Sequence, residues 1–133
     1  MQTFLPCPDF ALSMIYLDFR RLGKQRVEGM QLVDALTIGT RWKNHPAAKM
    51  WANNIPALKL YTNIAIQTWI AKGYKNTMKL YEIEEKVIMP SWLGREDFHD
   101  SHRSNLLRKD PVFYGNYGWT EPTDLPYVWP LPE

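Results

Sequence analysis

The stretch DFALSMIYLDFRRLGKQRVEGMQLVDALTI, residues 9–38, decides the fold. Asp9 suits an N-cap, and Phe10, Met14, Leu17 and Leu22 form an apolar stripe at steps of three to five. The stripe resumes beyond Gly23 through Val27, Met30, Val33 and Leu36, and stops before Gly39. This spacing predicts one long helix over about residues 9–38, bent or broken at Gly23. Upstream, Pro6 and Pro8 each disfavour helix in the preceding residue, so residues 1–8 are expected to be extended.

Downstream, Asn44-His45-Pro46 reads as a helix start covering Ala47 to Trp51, and Asn54 with Pro56 repeats the signal. Leu58, Tyr61, Ile64, Ala65, Thr68 and Trp69 then trace one helical face that ends at Gly73. Asn76 to Lys86 is expected to form a shorter helix through Leu80, Ile83 and Val87, broken at Met89-Pro90-Ser91. A last helix runs from Arg95 to Lys109 and stops at Asp110-Pro111. Beyond it come many aromatics and four prolines from Pro122 to Pro132, which read as an ordered wrap. No alternating strand pair competes. The expected fold is all-α and single-domain over residues 1–133: an extended segment (1–8), a helical body (9–110) and a non-helical C-terminal wrap (111–133).

Composition excludes several classes. A chain of 133 residues with 45% hydrophobic and 14% aromatic side chains is not a disordered one. Its single Cys7 rules out an internal disulfide framework and fits a reducing compartment. The N-terminal residues lack a signal-peptide pattern and no apolar run could span a membrane. A cytoplasmic monomer that does not engage membranes is expected. Net charge is +2 and unevenly spread: residues 111–133 carry three acids and no Lys or Arg, leaving a basic body. The sequence has no phosphate-binding glycine loop, no G-x-S-x-G elbow and no C-x-x-C pair.

Three clusters can carry chemistry. Arg20, Arg21, Lys24, Gln25, Arg26 and Glu28 crowd the predicted first helix, with Arg21, Lys24 and Glu28 at steps of three and four. Such a face can hold phosphates around one ionised carboxylate, or be a solvated surface with a Lys24–Glu28 pair. His99 and His102 sit at i,i+3, beside Arg103, Arg108 and Lys109. These can contact phosphates, cap or pack, or ligate a metal with His45. A metal site needs three or four ligands, and no convincing set exists, so none is assigned. Finally, Phe113, Tyr114, Tyr117 and Trp119 follow the basic helix and can stack on bases or pack in the core.

The order and spacing of Phe19-Arg20-Arg21-Leu22, Asn44-His45-Pro46, Trp69-Ile70-Ala71-Lys72-Gly73-Tyr74 and Asp110-Pro111-Val112-Phe113-Tyr114-Gly115-Asn116-Tyr117-Gly118 resembles the pyrimidine-dimer DNA glycosylase family of the phage endonuclease V type. The resemblance implies a compact helical repair enzyme that excises damaged pyrimidines and cleaves at the abasic site. Its partner would be double-stranded DNA carrying damaged bases or abasic sites, with no cofactor. In that family an N-terminal α-amine forms an imine (a Schiff base) at C1′, and a glutamate on the first long helix assists. Here Gln2 is bulky enough to retain Met1, so Met1 would carry the amine in place of an exposed Thr. Arg21 stands where the family glutamate is expected, which leaves Glu28 downstream and Asp18 upstream, and Glu28 is preferred. The expected DNA contacts are Arg20, Arg21, Lys24, Gln25, Arg26, His45, His102, Arg103, Arg108, Lys109, Tyr114, Tyr117 and Trp119. Gln2 and Arg21 also motivate a second reading, a non-catalytic or altered DNA-binding relative. A third is a metal-dependent hydrolase built on His45, His99 and His102.

Overall fold

The computed structural model describes residues 1–83 and 86–131, and every regular element among them is helical. The helices are α1 (Phe10–Tyr16), α2 (Phe19–Thr37), α3 (Pro46–Lys49), α4 (Ile55–Ala71), α5 (Glu96–Lys109) and α6 (Pro111–Tyr114). Single 3₁₀ turns at Arg41–Asn44 and Gly115–Tyr117 complete the set. Residues 1–8 contain no helix and run into the core, where Phe4 and Leu5 pack with Phe10, Leu22, Trp51, Tyr61 and Phe98.

The predicted 9–38 helix is two helices, and the break falls at Leu17-Asp18 instead of Gly23. Asp9 caps α1 by accepting from Leu12 N–H at 2.8 Å. Asp18 restarts the chain in extended conformation (ψ 162°) and accepts from Arg21 N–H and from the Arg21 guanidinium. A capping carboxylate in mid-stripe outweighs a helical glycine, which can remain in register. Gly23 serves a different purpose: a Cβ there would lie 3.0 Å from the Trp69 ring. Gly29, one and a half turns on, lets α2 approach α4 still more closely.

Residues 76–83 are not helical, contrary to the amphipathic reading of 76–86; Glu84 and Glu85 lie outside the described residues. Side chains of the preceding helices take over this segment's hydrogen bonds. Asn63 on α4 accepts from Tyr81 N–H at 2.7 Å and donates to Tyr81 O at 2.9 Å. Trp69 Nε1–H donates to Lys75 O, and Arg26 donates to the Asn76 amide oxygen. These partners satisfy backbone groups that a helix would have paired internally.

Within the C-terminal wrap, the backbone of residues 125–128 is likewise held by one helix, α5. Leu125 N–H donates to Ser104, Val128 N–H to Ser101, and Asn105 donates to Leu125 O. That accounts for three buried polar residues on α5. The helical body extends slightly further than residue 110, because Asp110 accepts from Phe113 N–H and Pro111 opens α6. From Gly118 to Leu131 the chain is non-helical; Pro132 and Glu133, the last residues of the expected wrap, lie outside the described residues.

The α2–α4 contact makes a direct prediction. A Cβ on Gly29 would lie 2.3 Å from Thr62 Oγ1, a hydroxyl already donating to Leu58 O. Gly29→Ala should lower stability in urea by about 1–3 kcal/mol through overpacking, against a helix-propensity gain of under ~1. Adding Thr62→Ala should recover much of that loss, the signature of a contact pair.

Candidate functional site

The site is organised by the N-terminal segment. Residues Gln2 to Pro6 are buried, so their backbone groups require partners inside the protein. Phe4 N–H donates to Gln25 Oε1 at 2.9 Å, and Tyr61 Oη–H bridges Phe4 O at 2.8 Å and Gln25 Oε1 at 2.6 Å. Leu5 N–H donates to His102 Nδ1 at 2.9 Å, while His99 Nδ1–H donates to Leu5 O at 2.8 Å. The two histidines therefore hold opposite tautomers: the proton sits on Nε2 in His102 and on Nδ1 in His99, whose Nε2 accepts from Gly94 N–H. Trp51 Nε1–H donates to Thr3 Oγ1, and Arg103 donates to Pro6 O. Three helices and Trp51 thus clamp five residues.

The clamp delivers Met1 and Gln2 to an open cleft of about 1370 Å³. From α2 it is lined by Arg20, Arg21, Lys24, Gln25 and Glu28, and from α5 by Lys109. Arg20, Lys24 and Lys109 are exposed, Glu28 half-buried. Glu28 accepts from Gln25 Nε2 at 3.1 Å, and no ion pair among the described residues involves Lys24. Gln25 therefore links the strand to the carboxylate through one side chain. Tyr127 closes the far side, its phenol pushed up to about 12 mainly by burial, with the Glu28 charge adding to the effect.

Asp18 also reaches the cleft but is occupied. It caps α2, pairs with Arg21 at 3.0 Å and accepts from Tyr114 Oη, which in turn accepts from Asp18 N–H. Burial alone would raise its carboxyl pKa; the Tyr114 and Arg21 hydrogen bonds and the Arg21 charge outweigh this and hold it below the usual range. Asp18 is accordingly a joint between α2 and α6.

The other expected contact residues lie elsewhere. His102 and Tyr114 are fully buried, the one on Leu5 and the other on Asp18. Arg103 is engaged by Glu121, Asp100 and Pro6, and Arg108 by Asn105 and Thr123. Arg26 lies over the Trp69 ring at 4.3 Å and donates to Asn76 and Gly23 O. Tyr117 and Trp119 pack with Tyr16. His45 caps α3 by accepting from Ala47 N–H, and its pKa is lowered by burial and then by the nearby N-terminal amine. Among the described residues no group of three or more metal-ligating side chains forms.

Sequence reasoning missed Gln2, Phe19 and Trp69, which line the cleft; Phe113, one of the aromatics able to stack on bases, lines it too. Gln2 Oε1 accepts from Thr3 N–H, and its buried Nε2 has no partner among the described residues. The exposure of Phe19 is legible only afterwards, since an aromatic directly after a capping Asp begins a helix and escapes its buried stripe.

The fold is thus a helical one that buries an extended N-terminal segment and opens a cation-lined cleft beside it. The chain belongs to the pyrimidine dimer DNA glycosylase family, whose model matches residues 1–82. The matched region contains α1 to α4 and most of the cleft, including Met1 and Glu28. Membership implies glycosylase activity on pyrimidine dimers and damaged DNA as substrate. No curated protein and no solved structure matched the chain. No helix among the described residues is long and apolar enough to cross a membrane.

The clamp should titrate. Burial pushes His102 down to about 3 and also lowers His99. Unfolded histidines, with a pKa of about 6.5, bind protons that the folded ones refuse. The contribution of each is complete above that pH and is lost on acidification, at up to about 1.4 kcal/mol per pH unit per histidine. Urea midpoints should therefore fall between about pH 7 and pH 5, with net proton uptake on unfolding. A midpoint constant across that window would contradict the clamp.

Proposed function

We propose that this protein removes damaged pyrimidines from duplex DNA and then cleaves the strand at the abasic site through an imine on the Met1 amine. One observation carries this reading: Met1 and Glu28 line the same cationic cleft, linked through Gln25 and the buried strand. The neutral amine is the nucleophile, and α-amines titrate about two units below lysine. Its lone pair attacks C1′, the bond to the base breaks with its electron pair, and the nitrogen loses a proton. The nitrogen lone pair then expels O4′ from C1′, so the sugar ring opens to the protonated imine as O4′ takes up a proton. A proton then leaves C2′ as the 3′-phosphate departs.

Glu28 is suited to stabilise cationic character at C1′ and to move the C2′ proton, because only a neutral amide occupies its carboxylate. Asp18, held by Arg21 and Tyr114, is not free to do so. Arg20, Lys24 and Lys109 are exposed at the cleft and would hold phosphates. Arg21, spent on Asp18, supports the helix start. The competing reading, a non-catalytic DNA-binding relative, draws on Arg21 at the family's glutamate position.

Borohydride should trap a covalent adduct with abasic-site duplex, and peptide mapping should place it on residue 1. Acetylating the amine should abolish the adduct and leave DNA affinity nearly unchanged. Glu28→Gln should slow strand cleavage by on the order of 10²-fold or more while binding persists. Tight binding with no adduct would favour the non-catalytic relative.

A second prediction concerns the phosphate contacts. Lys24→Ala should weaken binding to any duplex and make the log–log salt slope shallower by about 0.9, the worth of one neutralised phosphate. Arg103→Ala should instead act on stability, because that guanidinium is held by Glu121 and Asp100. A slope unchanged by Lys24→Ala would remove Lys24 from the interface.

A further inference from the structure

Phe19 opens α2 with 51% of its surface exposed, yet it is not a loose side chain. Its ring stacks on Trp69 at 5.3 Å and 21°, and touches Tyr74 at 4.7 Å. Trp69 is fixed in turn by its Nε1–H bond to Lys75 O, by Tyr74 at 4.5 Å and by the Arg26 guanidinium over its ring. Gly23 lets the indole lie directly against α2. The result is a backed stack of rings whose outermost member remains open to solvent. Across the Asp18–Tyr114 joint stands Phe113, 36% exposed and lining the same cleft.

We propose that Phe19 is a stacking platform for a nucleobase, one whose face is uncovered when a neighbouring nucleotide leaves the duplex. This rests on the glycosylase reading and extends it to how the opened duplex is held. Flipping a nucleotide out of a helix exposes the flat apolar face of the adjacent base. A rigid aromatic ring can cover that face without regard to sequence. Cations complete the fit: Arg20 follows Phe19 in the chain, and Lys24 lies one turn further along the cleft-lining face of α2. An apolar protein partner would gain nothing from such a rim, whereas a polyanion carrying flat rings matches both features. Trp69 and Arg26 act as the backing that keeps the platform rigid.

The test uses a duplex with a stable abasic-site analogue flanked by 2-aminopurine, whose emission falls when it stacks. The wild-type protein should quench the probe. Phe19→Leu should lose the quenching and bind this duplex on the order of ten-fold more weakly, the worth of one base on one ring. Its affinity for undamaged duplex and its salt slope should not change. Phe19→Trp should retain both quenching and affinity. Phe19→Met, which keeps an apolar contact with Trp69, serves as a second variant should Phe19→Leu melt early. If the leucine or methionine variant folds, quenches and binds like wild type, the platform is refuted and the glycosylase reading stands. If wild type itself neither prefers the abasic-site duplex nor forms a borohydride adduct, the glycosylase reading fails and the platform falls with it.

Discussion

The pairing of a buried extended segment's backbone with side chains of three helices is the constraint on which the rest of the structure depends. An extended segment inside a helical protein has no neighbouring strand to take its N–H and C=O groups. Each one left unpaired would cost about 1–3 kcal/mol. Gln25, Tyr61, His99 and His102 supply what a sheet would have supplied. Their burial, which looks wasteful on helices that could have carried aliphatic residues there, follows from that need. So does the neutrality of both imidazoles, since a second proton on His102 Nδ1 would remove the acceptor that Leu5 N–H uses.

The same solution recurs at the periphery. Asn63 treats Tyr81 as a strand partner would, accepting from its N–H and donating to its C=O. Ser101, Ser104 and Asn105 do likewise for residues 125–128. Three non-helical segments are thus docked on helices through polar side chains, with apolar contacts filling in around them. This leaves α2 free to present its cationic side to the cleft while its opposite side packs on α4 through Gly23 and Gly29.

Much of the fold was legible in the residues. The Asn54–Gly73 signals bracket α4 because a proline at the first turn and a glycine at the end (φ +88°) act locally. The α5 boundaries were equally clear, with acids in the first turn and basic residues in the last. Two readings failed for one reason: periodicity does not register competing partners. The Asp18 cap and the Asn63–Tyr81 pairing both depend on bonds that the local pattern does not contain. At the site, Met1, Glu28, Arg20, Lys24 and Lys109 converge as their placement on α2, α5 and the strand allows. Arg26, His102, Arg103 and Tyr114 carry chemistry that the fold applies inward, and charge or aromaticity alone does not say which way a side chain turns.

The strand clamp also sets the order in which the protein can be finished. Leu5 meets His102 across 97 positions of sequence, and its carbonyl meets His99 across 94. Residues 2–6 leave the ribosome before α5 but find their last partners only when α5 has emerged. Contacts of such sequence separation slow folding, because the loop must close before it is rewarded. Until then α1 to α4 exist without the groups that fix the strand from the α5 side, and the Met1 amine has no settled position. A nascent chain therefore carries Met1 long before it carries an assembled cleft. Completion of α5 is the event that assembles it.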